Sequence, residues 1–534
     1  MKRLNRLYFR RYPIKEGYTT EQARELAQIS HEIGRQIGLL IDRQGRPSMV
    51  LVGDPGSIYI PELPRARLGS GRLRGLRLLH THLAEDKLSQ EDLMDMVFLR
   101  LDSVMALSLE GDVPAKVQTA YILPPNPEGK SYEVLESRRW DRPDVDLEAT
   151  VEALEDEFAR QQAGVEVDES AERVLLVSVD VTSKAIQEAS LDELAELAKT
   201  AGLAPAGRMT QRVRKLNPKF ILGKGKLADL EVLALQANAS IIIFDQDLAP
   251  TQLRNLANIT ERRILDRTQL ILDIFAQHAT SRAGKLQVEM AQLKYTLPRL
   301  VGRNRAMSRL MGGIGGRGPG ETKLEVDRRR ARERLTKLKK ELDKVRMQRG
   351  QTRERRDKAG LPIVSLVGYT NAGKSTLLNT LTSSSVLAEN KLFATLDPTS
   401  RRIRFPRERE VVLTDTVGFI RRLPPDLQEA FRATLEELES ADLLVQVADA
   451  SHPEVEEQVE AVRKILEDMD LHDIPTLLVL NKWDNLTEEE QETMGNIYPE
   501  GIPAVALKRP SLEPLVEAIL ASLPWEKQPD EPEY

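Results

Sequence analysis

Short apolar runs organise the first part of the chain. IGLLID (37 to 42), SMVLV (48 to 52) and the alternating VQTAYIL (117 to 123) read as strands and predict a mixed α/β unit over residues 1 to about 125. The segment from Tyr121 to Asp146 carries four prolines and many charges, which predicts a linker. Behind it Leu147, Val151, Leu154 and Phe158 recur at helical spacing. A second pattern starts at RVLLVSVDV (173 to 181), followed by a helix from Leu191 to Ala201 that Gly202 closes. Helix LADLEVLALQANA, strand SIIIFD (240 to 245), helix PTQLRNLANIT and strand RILD continue the alternation. They predict a small parallel sheet with right-handed crossovers.

From Thr268 a long helical stretch runs through Gln287 and Leu293 to Leu297, and MGGIGGRGPGETK (311 to 323) follows. Six glycines in the nine residues from Gly312 to Gly320 rule out regular structure. That segment is either a plain flexible loop or one that orders when its amides meet a ligand. Beyond it Leu324 and Ala331 lie seven apart, and Leu335, Leu338, Leu342 and Val345 follow at four- and three-residue steps, the spacing of a coiled-coil-like hairpin arm.

At 534 residues the chain exceeds one hydrophobic core, so about three domains are expected. No run of eighteen apolar residues could span a bilayer, and the start, MKRLNRLYFRRYPIKEGY, lacks the apolar stretch of a signal peptide. A cytoplasmic protein without integral membrane association is expected, peripheral contact with a membrane being allowed. The absence of cysteine excludes disulfides and thiolate zinc sites. The net charge of −6 hides a local reversal: from Lys323 to Lys358 there are 16 Lys and Arg against 7 Asp and Glu. Such a block attracts phosphate backbones, or is merely a solvated helix face; its place beside the glycine-rich loop favours RNA.

The most specific chemistry follows Pro362. PIVSLVGYTNAGKSTLLNTL is an apolar strand, a loop and a helix, with Gly368, Gly373, Lys374 and Ser375 spaced as GxxxxGKS. The backbone of Gly368, Tyr369, Thr370, Asn371, Ala372 and Gly373 can wrap a β-phosphate, and Lys374 can neutralise the β and γ oxygens. Ser375, followed by Thr376, can ligate Mg²⁺. In VVLTDTVGF, Asp415 ends a second apolar strand where it can hold Mg²⁺ through water, and the amides beyond it (Thr416, Val417, Gly418) lead to the γ-phosphate. Between the two, the loop of Phe393, Ala394, Thr395, Leu396 and Asp397 can close over the nucleotide, with the Thr395 hydroxyl on Mg²⁺ and Thr399 the competing candidate. LLVLNKWD places Asn481, Lys482, Trp483 and Asp484 after a third strand, where Asp484 can accept from guanine N1 and N2. The last expected element, a Ser-Ala-Lys loop, is present only as Ala506, Leu507 and Lys508, a departure that predicts weakened guanine selectivity. The reading is a GTPase with Lys374, Thr395 and Gly418 in the catalytic positions. Hydrolysis needs an oriented water, and Phe419 stands where Ras-like enzymes carry a glutamine, so slow intrinsic turnover stimulated by a partner is expected.

With LAPTQLRNL, ILDRTQLILDIFAQ, KLQVEMAQLKYTLPRL, GGRGPGETKLEVDRRR, LFATLDPTSRRI and LTDTVGFI, these motifs resemble the HflX family of ribosome-associated GTPases over roughly residues 172 to 525. His278 and Ala283 stand where an arginine and a glutamate are expected. The resemblance implies a multidomain α/β protein: a Ras-like P-loop G domain (361–525), preceded by a small parallel α/β domain (172–300) with a glycine-rich loop and basic helical arm (301–358). An α/β extension and linker (1–165) and an acidic tail (526–534) complete the expected division. The resemblance further implies a monomer that binds GTP and GDP, contacts the large ribosomal subunit and its rRNA, and splits stalled or idle ribosomes. The expected RNA contacts are Gly316, Arg317, Gly318, Arg328, Arg329 and Arg330.

The extension holds LLHTHLAEDKLSQEDL, with His80, His82, Ser89 and Asp92. It is similar to the His-x-His, Ser-x-x-Asp zinc motif of JAMM-type metallopeptidases and their RadC-like relatives, with Glu32 as a distant acid. The His82-to-Ser89 spacing is one residue short and Leu83 replaces a proline. A degenerate, inactive fold of that kind is the favoured expectation; zinc on His80, His82 and Asp92 is the less favoured alternative, and with it a GTP-regulated metallohydrolase or sensor.

Overall fold

The computed structural model describes residues 2–61, 63, 73–124, 126, 130–163, 171–299, 323–357, 361–382, 399–405, 409–416, 418–419 and 438–525. The chain divides into two compact units, Met1–Arg267 and Thr268–Tyr534.

The first unit opens with helices α1 (Lys2–Phe9) and α2 (Thr20–Ile33) and strands β1 (Ile37–Asp42), β2 (Pro47–Val52) and β3 (Leu76–His82). Helix α3 (Gln90–Phe98), strands β4 (Ser103–Glu110), β5 (Val113–Ile122), β6 (Tyr132–Val134) and β7 (Arg138–Arg139), and helix α4 (Leu147–Ala163) follow. The sheet runs β2-β1-β3-β4-β5-β6, with β7 paired to β5; β3 and β4 are parallel and the other pairs antiparallel. The apolar runs are continuous because both faces are covered. Leu39, Ile41 and Leu79 pack toward α1 and α2, whereas Leu40, Leu78 and Val104 pack toward α3 and α4. The expected linker is thus partly strand, since its polar residues serve an edge where only one side needs to pair.

Strands β8 (Arg173–Asp180), β9 (Ala204–Arg212), β10 (Ile241–Phe244) and β11 (Arg263–Asp266) form the second sheet, ordered β11-β10-β8-β9 and parallel throughout. Helices α5 (Lys184–Thr200), α6 (Lys224–Gln236) and α7 (Pro250–Ile259) connect them. Helix α6 is apolar on two sides. Leu227, Leu230 and Ala234 join the core of the second sheet; Ala228, Val232 and Leu235 join that of the first, beside Met96 and Val97 of α3. Arg74 and Arg100 both pair with Glu261, adding charge pairs to the same seam. The extension is therefore continuous with the sheet that follows it.

The second unit begins with α8 (Arg267–His278) and α9 (Arg282–Arg299). The expected single helical stretch from Thr268 breaks between them, where the Ser281 hydroxyl accepts the Gly284 N–H at 2.9 Å and starts a new helix. Helix α10 (Lys323–Asp357) packs on α9: Leu338 and Leu342 are buried, and Arg334 forks onto both carboxylate oxygens of Glu289 at 2.6 and 2.7 Å. Six strands then make the third sheet: β12 (Ile363–Gly368), β13 (Thr399–Phe405), β14 (Arg409–Asp415), β15 (Leu443–Asp449), β16 (Thr476–Asn481) and β17 (Ile502–Pro503). Their order is β13-β14-β12-β15-β16-β17, antiparallel only at β13. Helices α11 (Lys374–Thr382), α12 (Val455–Asp468), α13 (Glu488–Ile497) and α14 (Glu513–Ser522) accompany it. The phosphate-loop sequence joins β12 to α11 at the carboxyl edge of the sheet, where open α/β sheets take ligands.

Candidate nucleotide-binding site

Backbone geometry at the β12–α11 loop dictates its glycines. Gly368 and Gly373 have φ of 147° and 97°, and a Cβ on them would run into the Val447 carbonyl and the Asn481 side chain respectively. The loop turns its carbonyls onto Lys374, whose Nζ donates to Gly368 at 3.0 Å and Tyr369 at 2.8 Å. Burial pulls the Lys374 ammonium down to about 8, against the pull of the Asp415 charge. Ser375 Oγ donates to Asp415 Oδ2 at 2.7 Å, so two hard oxygen donors separated by forty residues meet beside the loop. Thr416 anchors the end of β14 by donating from Oγ1 to the Leu366 carbonyl at 2.6 Å.

Gly418 and Phe419 lie directly on the phosphate loop. Thr370 N–H donates to the Phe419 carbonyl at 2.8 Å, Phe419 N–H donates to the Gly368 carbonyl at 3.1 Å, and the Phe419 ring is buried. Any side chain at Gly418 would meet Thr370 and Lys374. This short bridge was not legible in the sequence, because it pairs backbone groups of a loop with those of a strand end.

The base side of the site is tied to the phosphate side through Asn481. Its Nδ2 donates to the Ala372 carbonyl at 2.7 Å and its Oδ1 accepts the Ala506 N–H at 2.9 Å. Thr380 Oγ1 adds a bond to the Ala506 carbonyl at 2.6 Å. Lys482, left-handed at φ 58°, reaches Asp449 Oδ2 at 2.6 Å, an acid at the end of β15 that the motifs did not single out. Trp483 and Asp484 begin a short turn after it, and Lys508 Nζ donates to Asp484 Oδ2 at 3.0 Å. Leu507 is exposed, and the Lys508 N–H is used by the Val505 carbonyl. Asn371 is left-handed, Ala372 is buried, and Thr376 occupies the first turn of α11. Thr399 opens β13 in register with Asp415. Phe393, Ala394, Thr395, Leu396, Asp397 and Val417 lie outside the described residues, as do Gly316, Arg317 and Gly318.

A phosphate loop, a carboxylate ending the adjacent strand and an Asn-Lys-x-Asp turn on one sheet edge are the parts of a guanine-nucleotide site. Family models described as GTP-binding GTPase N-terminal, GTP-binding GTPase Middle Region and 50S ribosome-binding GTPase match residues 188–276, 278–356 and 363–482. The GTPase HflX of Caldanaerobacter subterraneus subsp. tengcongensis is 48% identical over 348 residues, 65% of this chain and 80% of its own. The chain belongs to the HflX family of GTPases. The Escherichia coli GTPase HflX is 48% identical over 322 residues, 60% of this chain and 75% of its own. A crystal structure of a GTP-binding protein from Sulfolobus solfataricus in complex with GDP is 27% identical, covers 66% of this chain and 98% of that one, and has a TM-score of 0.37. As a member of the HflX family this protein binds and hydrolyses GTP. Among the described residues no helix is long and apolar enough to cross a membrane.

A second constellation lies in the extension, ahead of the HflX family matches. His80 and His82 project from one face of β3, and Asp92 from the first turn of α3; all three are buried. His80 Nε2 lies 3.1 Å from Asp92 Oδ1 and His82 Nε2 lies 3.2 Å from Asp92 Oδ2. Ser89 holds the same carboxylate with its hydroxyl and its N–H, both at 2.7 Å, in a capping box. Burial drives the His80 imidazole toward its neutral form; burial also opposes charge on Asp92, but hydrogen bonds from His80 and His82 hold it well below the usual carboxylate range. Glu32 takes no part: it is exposed and pairs with Arg3 at 2.6 Å. Among the described residues both rings are buried, which does not favour the metallohydrolase alternative.

Proposed function

We propose that this protein is a GTP-driven switch that docks on the large ribosomal subunit through α10 and dissociates stalled or idle ribosomes. The observation that carries the reading is the division of labour on α10. Leu338 and Leu342 seal one stripe against α9 and Arg334 is committed to Glu289, while Arg330, Arg332, Lys337, Lys339, Lys340 and Lys344 remain on the exposed side. A packed seam holds the helix rigid, and the outward cations match an RNA backbone. The match to a family described as 50S ribosome-binding GTPase supports the same partner.

At the nucleotide, the amides from Gly368 to Gly373 cradle the β-phosphate and Lys374 moves from its carbonyl partners onto the β and γ oxygens. The Ser375 hydroxyl and Asp415 carboxylate would hold Mg²⁺, with Thr395 as the further candidate ligand, and the ion would neutralise phosphate charge. The Gly418 N–H meets the γ-phosphate. Asp484 accepts from the guanine N–H groups, with Trp483, Ala506, Leu507 and Lys508 around the base. Because Phe419 offers no polar side chain to position water, the ribosome supplies the ordering that hydrolysis requires.

GTP hydrolysis measured with and without large ribosomal subunits at physiological salt, with Lys374→Ala as control, tests this. A stimulation of about tenfold or more, roughly 1.4 kcal/mol of barrier, is expected. No stimulation despite GTP binding would overturn the ribosome assignment, and intact 70S particles persisting with protein and GTP would overturn the splitting role.

A further inference from the structure

The contacts among His80, His82 and Asp92 cannot all be hydrogen bonds. Besides their carboxylate contacts, the two histidine Nε2 atoms lie 2.9 Å from each other. Each Nε2 holds either one hydrogen or one lone pair. If both donate to Asp92, two N–H groups are crowded together with their nitrogens only 2.9 Å apart and no bond between them. If one donates to the other, the accepting lone pair is left against the Asp92 carboxylate at 3.1 or 3.2 Å. Either arrangement leaves two like groups face to face in a buried cluster, which is unfavourable unless something positive sits at its centre.

The two nitrogens stand 2.9 Å apart, and each stands 3.1 or 3.2 Å from a different oxygen of Asp92, so all of these atoms face a common centre. Ligands about 2.0–2.1 Å from a tetrahedral zinc ion stand about 3.3 Å from one another. All three candidate donor atoms lie within 4.8 Å of one another. Two imidazole nitrogens and one carboxylate select zinc over the oxygen-seeking magnesium and calcium. The Ser89 hydroxyl and N–H hold the Asp92 carboxylate from outside, the kind of support that orients a metal ligand.

We propose that His80, His82 and Asp92 bind one zinc ion that fastens α3 to β3. The fastening reaches further than the two elements it joins. Met96 and Val97, one turn beyond Asp92 on α3, share a core with Ala228, Val232 and Leu235 of α6. The ion therefore fixes the helix that couples the extension to the second sheet. Its role is structural: both histidines are shut from solvent, and Glu32 lies elsewhere, exposed and paired with Arg3. This inference does not depend on the ribosome assignment.

The full-length protein, purified without chelator, is analysed for metals by mass spectrometry. About one equivalent of zinc per chain is expected, kept by His278→Gln and lost in the His80→Gln/His82→Gln double variant and in Asp92→Asn. Chelator-stripped wild-type protein should take up cobalt(II) and show the visible absorption of a tetrahedral nitrogen- and oxygen-ligated ion. Zinc below about a tenth of an equivalent, with no cobalt uptake by stripped and folded wild-type protein, would overturn the site. Because these readings use the wild-type chain, they stand even if the variants misfold. Hydrogen exchange should quicken in Leu76–His82 and Gln90–Phe98 on metal removal; unchanged exchange there would overturn the fastening role.

Discussion

The Asn481 side chain donates to the Ala372 carbonyl at 2.7 Å across 109 residues of sequence, and the same amide accepts the Ala506 N–H at 2.9 Å. One buried side chain thus sets the spacing between the Gly368–Gly373 loop and the loop at Ala506, proposed above to hold phosphate and base. Asn481→Ala leaves a carbonyl and an N–H without their partner, at about 1–3 kcal/mol for each group that stays buried. Thermal melting should fall, and GDP affinity should fall at least about tenfold, roughly 1.4 kcal/mol. Fluorescence titration with a labelled GDP checks this; an unchanged dissociation constant would mean that the two loops hold their spacing independently.

Asp484 and Lys508 present the opposite case. Their contact is 3.0 Å but solvent-exposed, with the side chains 41% and 63% accessible, so the pair itself contributes little. On the proposed base contact, guanine displaces Lys508 at little cost and takes the carboxylate. Lys508→Ala should therefore alter GTP affinity by less than about fivefold, within the roughly 1 kcal/mol of an exposed pair. Asp484→Ala, which strands two guanine N–H donors, should cost about tenfold or more. Equal losses in the two variants would show that the Lys508 side chain itself binds the base.

Phe419 sits where a water-orienting glutamine is expected, yet its ring is buried and its backbone is paired to Gly368 and Thr370. Restoring the glutamine should not restore its chemistry. Phe419→Gln should leave intrinsic GTP hydrolysis within about threefold of wild type, well short of the 1.4 kcal/mol that marks a tenfold change. It should also destabilise the nucleotide-free protein by about 2–4 kcal/mol, since a buried ring is replaced by an amide with no assured partner. A tenfold faster single-turnover rate would place the side chain against the attacking water instead.

What the sequence revealed and what it hid divide along sequence separation. The phosphate loop, its flanking strand and helix, and the Asn-Lys-x-Asp turn are local patterns in which backbone requirements fix residue types, so Gly368, Gly373 and Asn481 could be read directly. The Phe419 bridge and the Lys482–Asp449 pair join groups distant in sequence, and nothing in either segment announces its partner. Helix α6 is an intermediate case. LADLEVLALQ is apolar on two faces, the mark of a helix buried on both sides, but periodicity alone could not say that its second face meets the extension. The break at Ala279–Ser281 was hidden for a related reason: helical spacing continues across it, and only the Ser281 cap separates α8 from α9.

The ILDRTQ segment also hides a buried charge cluster. Arg267 pairs with Asp245 at 2.8 Å and with Glu193; Arg267 and Asp245 are buried and Glu193 is half-buried. Arg267→Met would leave the buried Asp245 carboxylate unpaired beside Glu193, and breaking a buried pair from one side costs about 3–5 kcal/mol. Urea unfolding should register that loss with GTP affinity of the surviving folded protein unchanged. A loss below about 1 kcal/mol would mean that water reaches the carboxylates once the guanidinium is gone.

The arm separates charge from packing in a way that allows each to be removed alone. Arg328, Arg329, Arg330 and Arg332 lie on the first turns of α10, ahead of the buried Leu338 and Leu342. Replacing the four arginines with glutamate changes the local charge by eight units without touching that seam. Co-sedimentation with large subunits at physiological salt should be abolished, and partial reversals should flatten the dependence of binding on salt by about one unit of slope for each phosphate no longer neutralised. Leu338→Ala keeps every cation and should cost about 2–5 kcal/mol of stability through the cavity it opens. If the leucine variant, still folded, binds subunits with the wild-type salt slope while the reversal does not bind, the outward charge is what holds the subunit. Undiminished binding by the quadruple reversal would remove α10 from the interface, whatever the leucine variant does.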